Sequence, residues 1–280
     1  MQIKIICIGD VVGRPGRHIL STDLCRIVKE HEIDCVIVNA ENAAGGSGLT
    51  PQIYEKLLKY GVHLITMGDH IYRKKDIVPI LQNSSCIVKP INMSSQAAGR
   101  EWACYTTARG AQVAVVSVLG RMYMTTLADN PFHAIDKVLA KIPPDIKIIV
   151  VDMHAEVSSE KIAMGWHLDG RVSVVFGTHT HVTTADEEVL PKGTAYITDL
   201  GMTGPHKSVL GRNVEPVLKS LITQMPIPYS IATDDLRLNG VIVTVDSHTG
   251  KASAIERICV RGEYDDQGPY DNDDGKVNHL

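Results

Sequence analysis

The chain has 280 residues, with 28 Lys+Arg against 32 Asp+Glu and a net charge of −4 at pH 7. At 44% hydrophobic and 21% charged it can build a large core, which excludes a disordered chain. A pI near 6.3 excludes a protein that coats duplex nucleic acid through charge alone. No apolar run reaches the roughly 18 residues of a membrane span. The opening MQIKIICIGDVVG reads as a strand feeding a loop, not as an export signal. The six cysteines form no C-x-x-C pair, so reduced thiols in a cytoplasm are expected.

Taken in chain order, residues 3–8 read as a buried strand and residues 17–30 as a helix. The helix sets Ile19, Leu20, Leu24, Ile27 and Val28 on one stripe at 3.6 spacing. A strand at 35–38 leads to a helix at 50–60, with Thr50 as its cap and Pro51 in its first turn. Strands follow at 62–66 and 113–118, a helix at 131–141, a strand at 146–151, a helix at 158–168 and a strand at 172–176. This alternation predicts an α/β fold with a largely parallel sheet between helices. Beyond it the pattern tightens. Residues 187–190 and 195–198, then 241–245 and 254–260, read as antiparallel pairs, the second joined through Thr249-Gly250. No linker or repeat divides the chain, so a single domain over residues 1–261 is expected. Residues 262–280, rich in Asp, Asn and Gly, have little to bury and read as a mobile acidic tail.

The chemistry collects where strands end. Residues 3–8 run into Gly9-Asp10, 35–38 into Asn39-Ala40-Glu41-Asn42, and 62–66 into Met67-Gly68-Asp69-His70. Residues 146–151 run into Asp152-Met153-His154, and 172–176 into Gly177-Thr178-His179-Thr180-His181. Ligands of open α/β sheets bind beyond the carboxyl ends of the strands. A lone Asp after a strand is usually a turn former. Asp10, Glu41, Asn42, Asp69, His154, His179 and His181 together are oxygen and nitrogen donors without a thiolate. That mixture suits Fe, Mn or Zn, and it exceeds what one tetrahedral ion can use. Two ions sharing a carboxylate would use all of it, and such pairs are a recurrent device for phosphoester hydrolysis. His18, His31, His63, His133, His167, His206, His248 and His279 lack strand-end placement and read as surface or core residues. Rival motifs fail: Gly9–Gly16 has the spacing G-x-x-x-G-x-x-G with Pro15 among the amides, and GMTGPHKS carries His206 where a P-loop needs Gly.

Blocks of the type GD…G, GNH, H and GHxH on successive strand ends mark the calcineurin-like metallophosphoesterase superfamily. Within it GDVVGRPGR, NAENAAGGSGLT, MGDHIY, VDMHAEVSSEK and GTHTHVTTADEEVLPKGTAYITDLGMTGP closely resemble the bacterial YmdB-like group. The resemblance runs from the first strand to about residue 260. It implies a four-layer α/β/β/α sandwich, two transition-metal ions (Fe or Mn foremost, Zn also suited) and 2′,3′-cyclic nucleotide phosphodiesterase activity. It also suggests a homo-oligomer. Asp10, Glu41, Asn42 and His181 would then hold one ion, and Glu41, Asp69, His154 and His179 the other, with Glu41 bridging. The nucleophile would be generated between the ions, and His70 would be the general acid. One position departs from the pattern: the usual Gly-Asn-His reads Gly68-Asp69-His70, adding a negative charge. Two alternatives use the same residues: a phosphomonoesterase or phosphoprotein phosphatase, and a nucleotide- or RNA-binding regulator with structural metals.

Overall fold

Along β1 (Gln2–Ile8) the side chains alternate between two interiors, Ile3, Ile5 and Cys7 facing one and Ile6 and Ile8 the other. A strand buried on both faces belongs to the middle of a layered structure. The structure, a computed structural model, describes residues 1–264. Of the expected acidic tail, residues 265–280 lie outside the described residues. Gly262 still belongs to the last strand, and the Tyr264 ring meets the edge of His18 with centroids 5.4 Å apart.

After β1 come β2 (Asp10–Val11), α1 (Gly13–His31), β3 (Cys35–Asn39), α2 (Pro51–Lys59) and β4 (Leu64–Thr66). A 3₁₀ turn leads into α3 (Val78–Asn83), β5 (Ala103–Thr106), β6 (Gln112–Leu119), α4 (Pro131–Leu139), β7 (Ile148–His154), α5 (Ser158–Leu168) and β8 (Val174–Thr178). The chain ends with β9 (Glu188–Val189), β10 (Ala195–Ile197), β11 (Met202–Pro205), α6 (Val214–Thr223), β12 (Leu236–Asp246) and β13 (Ala252–Gly262).

The strands form two sheets where the alternation alone pointed to one. In the first, β1, β3 and β4 run parallel, β12 returns antiparallel against β1, and β13 pairs with β12. In the second, β6, β7, β8 and β10 run parallel, with β5 and β9 antiparallel at the edges. Ile5, Ile37 and Val243 of the first sheet meet Val115, Val150 and Phe176 of the second in an apolar layer between them. α1 and α2 cover the outer face of the first sheet through Leu20, Leu24, Ile53 and Leu57. α4 and α5 cover the second through Ile135, Val138, Met164 and Leu168. The layers are therefore α/β/β/α. Strands covered on both faces look the same in sequence whether they share a sheet or not.

Helix boundaries follow local chemistry. The Thr50 hydroxyl accepts from the Ile53 N–H and caps α2. Asn130 caps α4 by accepting from Phe132 and His133. α1 begins four residues earlier than its apolar stripe predicts, at Gly13, with Pro15 in its first turn, where no backbone N–H is lost to the helix.

Candidate metal centre

The parallel strands of both sheets end at one edge, and the seven strand-end residues meet there. Gly9 lets β1 pass close to residue 201: a Cβ would collide with the Gly201 carbonyl. Asp10 follows, fully buried, accepting from the His179 N–H at 3.2 Å. Its Oδ1 lies 3.7 Å from His181 Nε2 and 3.5 Å from Asn42 Nδ2. Glu41, beyond β3, is 1% exposed. It receives the Asn42 amide on Oε1 at 3.2 Å and the His70 N–H on Oε2 at 3.1 Å. Across the cleft, Glu41 Oε1 is 3.4 Å from Nε2 of His154, the last residue of β7. That nitrogen stands 3.1 Å from Asp69 Oδ1 and 3.1 Å from His179 Nδ1. Glu41, Asp69, His154 and His179 thus offer four ligand atoms within 4.8 Å of one another. Asp10, Asn42 and His181 form a second group, and Glu41 touches both.

These spacings are those of ligands sharing an ion. Two atoms each about 2.1 Å from an ion and about 90–110° apart lie roughly 3.0–3.4 Å from one another. Gly68 leaves the room: a Cβ there would strike Glu41 Oε2 and His154 Nε2. The donor set and the cradle therefore fit a metal pair. Asn42 is the exception in orientation. Its Nδ2 faces Glu41 and His181 Nε2, and its Oδ1 lies 2.7 Å from His70 Nδ1. Ligation through Oδ1 requires the amide to turn over.

Charge follows the same map. Burial works against ionisation of Glu41, but His154 and His70 opposite hold it down at about 2. Asp69 is likewise lowered: burial opposes this, and hydrogen bonds from His154 and His179 outweigh it. Burial would lower His154, yet Glu41, Asp69 and Asp10 push it well above the ordinary imidazole range. Asp10 is raised by its own burial, with His181 and His154 opposing.

His179 and His181 have φ of +94° and +65°, the left-handed region that non-glycine residues rarely occupy. The loop between them is tied down. Thr180 donates its hydroxyl to Asp199 Oδ2 at 2.7 Å, and Lys161 Nζ reaches the same oxygen at 2.6 Å. His181 Nδ1 donates to the Leu210 carbonyl at 3.2 Å, which leaves Nε2 toward Asp10. Glu156 Oε2 lies 3.2 Å from His179 Nε2. Beneath His154, Asp152 accepts from Thr178, Thr66 and Asn39, and burial pushes its carboxyl up to about 6. Lys161, inside α5, carries no strand-end signal of its own. Asp152 does carry a signal: an acid in an apolar strand run, two residues before a ligand candidate.

The cluster floors a cavity of about 410 Å³. His70, His179 and His181 line it together with the apolar side chains of Leu210, Val217 and Tyr229. Arg212 also lines it, its guanidinium donating to the Gly46 carbonyl at 2.9 Å.

Comparison with known proteins places the chain by sequence and fold. The family model described as "YmdB-like protein" matches residues 6–258. The 2′,3′-cyclic-nucleotide 2′-phosphodiesterase of Bacillus subtilis (strain 168) is 41% identical over 262 residues, spanning 94% of this chain and 98% of the relative. A crystal structure of a novel phosphatase from Mycoplasma pneumoniae superposes with a TM-score of 0.87 at 35% identity, over 93% of this chain and 94% of that one. The calcineurin-like phosphoesterase YfkN of B. subtilis shares the fold, with a TM-score of 0.56 at 8% identity over 93% and 90% of the two chains. By fold and by sequence, the chain belongs to the YmdB-like family.

Proposed function

We propose that the chain is a two-metal phosphodiesterase acting on 2′,3′-cyclic nucleotides or similar phosphodiesters. The observation that carries this is the pair of donor groups joined through Glu41 on the floor of the cavity. Asp10, Glu41, Asn42 and His181 would hold one ion, and Glu41, Asp69, His154 and His179 the other. Two ions so held supply an activated water and positive charge against the phosphoryl oxygens. The B. subtilis relative's name supplies the substrate class, and the lining of the cavity has the chemistry to receive it. The lining offers polar donors for a phosphate, and Leu210, Val217 and Tyr229 offer apolar surface for a base.

His70 is the general acid in this reading. It lines the cavity, it is not among the clustered ligand atoms, and its Nδ1 faces the Asn42 amide. Once that amide turns to ligate through Oδ1, its Nδ2 would donate to Nδ1 and leave the ring hydrogen on Nε2. The proton for the departing ribose oxygen therefore leaves from Nε2. Iron or manganese suits the mixed carboxylate–imidazole set, with zinc also accommodated. The six free cysteines suit a reducing cytoplasm, and among the described residues no helix is long and apolar enough to cross a membrane.

The test is elemental analysis of protein purified without chelator, beside turnover of a 2′,3′-cyclic nucleotide by wild type and Asp10→Ala. Close to two transition-metal ions per chain and loss of turnover in the variant are expected. One ion or none after Mn or Fe reconstitution overturns the two-metal reading. Turnover of monoesters alone makes the enzyme a phosphatase instead.

A further inference from the structure

Beneath the candidate centre lies a hydrogen-bonded chain that no ligand assignment uses. Asp152, fully buried in β7, receives three donors: the Thr178 hydroxyl on Oδ1 at 2.6 Å, and the Thr66 hydroxyl and Asn39 amide on Oδ2 at 2.5 and 3.0 Å. The Asn39 amide is fixed in orientation, because its Oδ1 accepts from the Glu41 N–H at 3.2 Å. Its Nδ2 is therefore a donor, to Asp152 and, at 3.4 Å, to Thr178 Oγ1. On the other side, Thr178 Oγ1 lies 2.8 Å from His154 Nδ1. A hydroxyl has a single hydrogen. Given to Asp152, it leaves Oγ1 free only to accept.

We propose that Asp152 and Thr178 are positioning residues that fix the tautomer of His154 in its neutral, ion-holding form, so that its hydrogen sits on Nδ1 and its Nε2 lone pair is turned to the ion that Glu41, Asp69 and His179 would share. The inference rests on the two-metal reading above. Outer partners of this kind orient a ligand imidazole and raise its basicity, and their loss typically weakens metal binding by roughly 10–100-fold. This one acts through an intervening hydroxyl, so its effect can be separated from that of a merely packed carboxylate. In Asp152→Asn the new amide oxygen settles toward Asn39 and Thr66, which donate. Its NH₂ then faces Thr178, and the Thr178 hydrogen turns to His154 Nδ1. The imidazole is left with its hydrogen on Nε2, against the ion. Without the hydroxyl this transmission is broken.

The experiment is Mn²⁺ titration of the full chain, with free Mn²⁺ counted by electron paramagnetic resonance, on wild type, Asp152→Asn, Thr178→Val, Thr178→Ser and the Asp152→Asn/Thr178→Val pair. Asp152→Asn should weaken one of the two ions by about 10–100-fold and leave the other unchanged, which also reports an intact fold. Thr178→Ser, which keeps the hydroxyl, should bind within about threefold of wild type. In the Thr178→Val background the further loss from Asp152→Asn should fall below about threefold, the non-additivity expected of residues acting in series. The proposal is overturned by an equal penalty from Asp152→Asn with and without the hydroxyl, or by Thr178→Ser binding as poorly as Thr178→Val. Wild type that binds Mn²⁺ at two sites while every variant matches it overturns the relay alone. Wild type that binds none overturns the metal reading with it.

Discussion

Asn42 and Glu41 set His70 beside the donor cluster without making it a member: Asn42 Oδ1 takes Nδ1, and Glu41 Oε2 takes the backbone N–H. His70→Ala should therefore leave metal content unchanged while turnover falls by about 10²–10⁴. The fall should be smaller for a p-nitrophenyl ester, whose leaving group needs little protonation, and equal losses on both substrates would remove the acid role. Asp69 tests charge instead of proton transfer. Its Oδ1 stands 3.1 Å from His154 Nε2, so under the two-metal proposal its full negative charge would fall on the same ion as that of Glu41. Asp69→Asn should release metal to a chelator sooner than wild type. It should also shift the acidic limb of the pH–rate profile downward, because less charge on the ion strengthens its field. An unshifted profile with equal retention would mean that the charge is neutralised by the neighbouring histidines.

At the scale of elements, the loop after β8 depends on a partner two elements away. Lys161 on α5 and Asp199 beyond β10 are both 1% exposed, and together they hold Thr180 between the two left-handed histidines. Removing one member of a buried pair strands the other charge, at a cost of about 3–5 kcal/mol. Lys161→Met should lower the urea unfolding free energy by that order and loosen metal retention at His179 and His181. A variant as stable as wild type would show that the Thr180 and Gly201 donors satisfy Asp199 alone. The start of α1 carries a related lesson. The Gly9–Gly16 run has the look of a phosphate loop, yet from Gly13 it is the first turn of a helix, and a Cβ on Gly16 would meet the Thr203 carbonyl.

Across the whole molecule, the site sits astride two sheets. Asp10, Glu41 and Asp69 come from the first sheet, and His154, His179 and His181 from the second. An ion bound between them is a cross-link that favours the folded state, by about 2.7 kcal/mol at a free concentration one hundred times its Kd. Removing metal with a chelator should lower the melting temperature, and added Mn²⁺ should restore it in proportion to the logarithm of its concentration. A melting temperature indifferent to both would mean that the carboxylates and histidines pair with one another well enough without an ion.

Much of this was legible in the chain itself. Apolar β-branched runs ending in Gly, Asp, Asn or His identified the strands β1, β3, β4, β7 and β8, and the donors directly after them are the residues that converge. Those features are local, because a strand must be apolar to be buried and its polar residues must wait for its end. The same locality explains what stayed hidden. Residues 5–8 are uniformly apolar because both faces are covered, so nothing in them says that one face meets helices and the other a second sheet. α6 and β11 were not foreseen, although Val214, Val217, Leu218, Leu221 and Ile222 of α6 fall at i, i+3, i+4, i+7 and i+8; in the fold most of that apolar stripe faces solvent. The orientation of the Asn42 amide, the Lys161–Asp199 pair and the Asp152–Thr178–His154 chain join residues 24 to 38 positions apart or set one group against several strands. Hydrogen bonds of that kind depend on distances of a few tenths of an ångström between elements that only the packed layers bring together, so tertiary structure alone decided them.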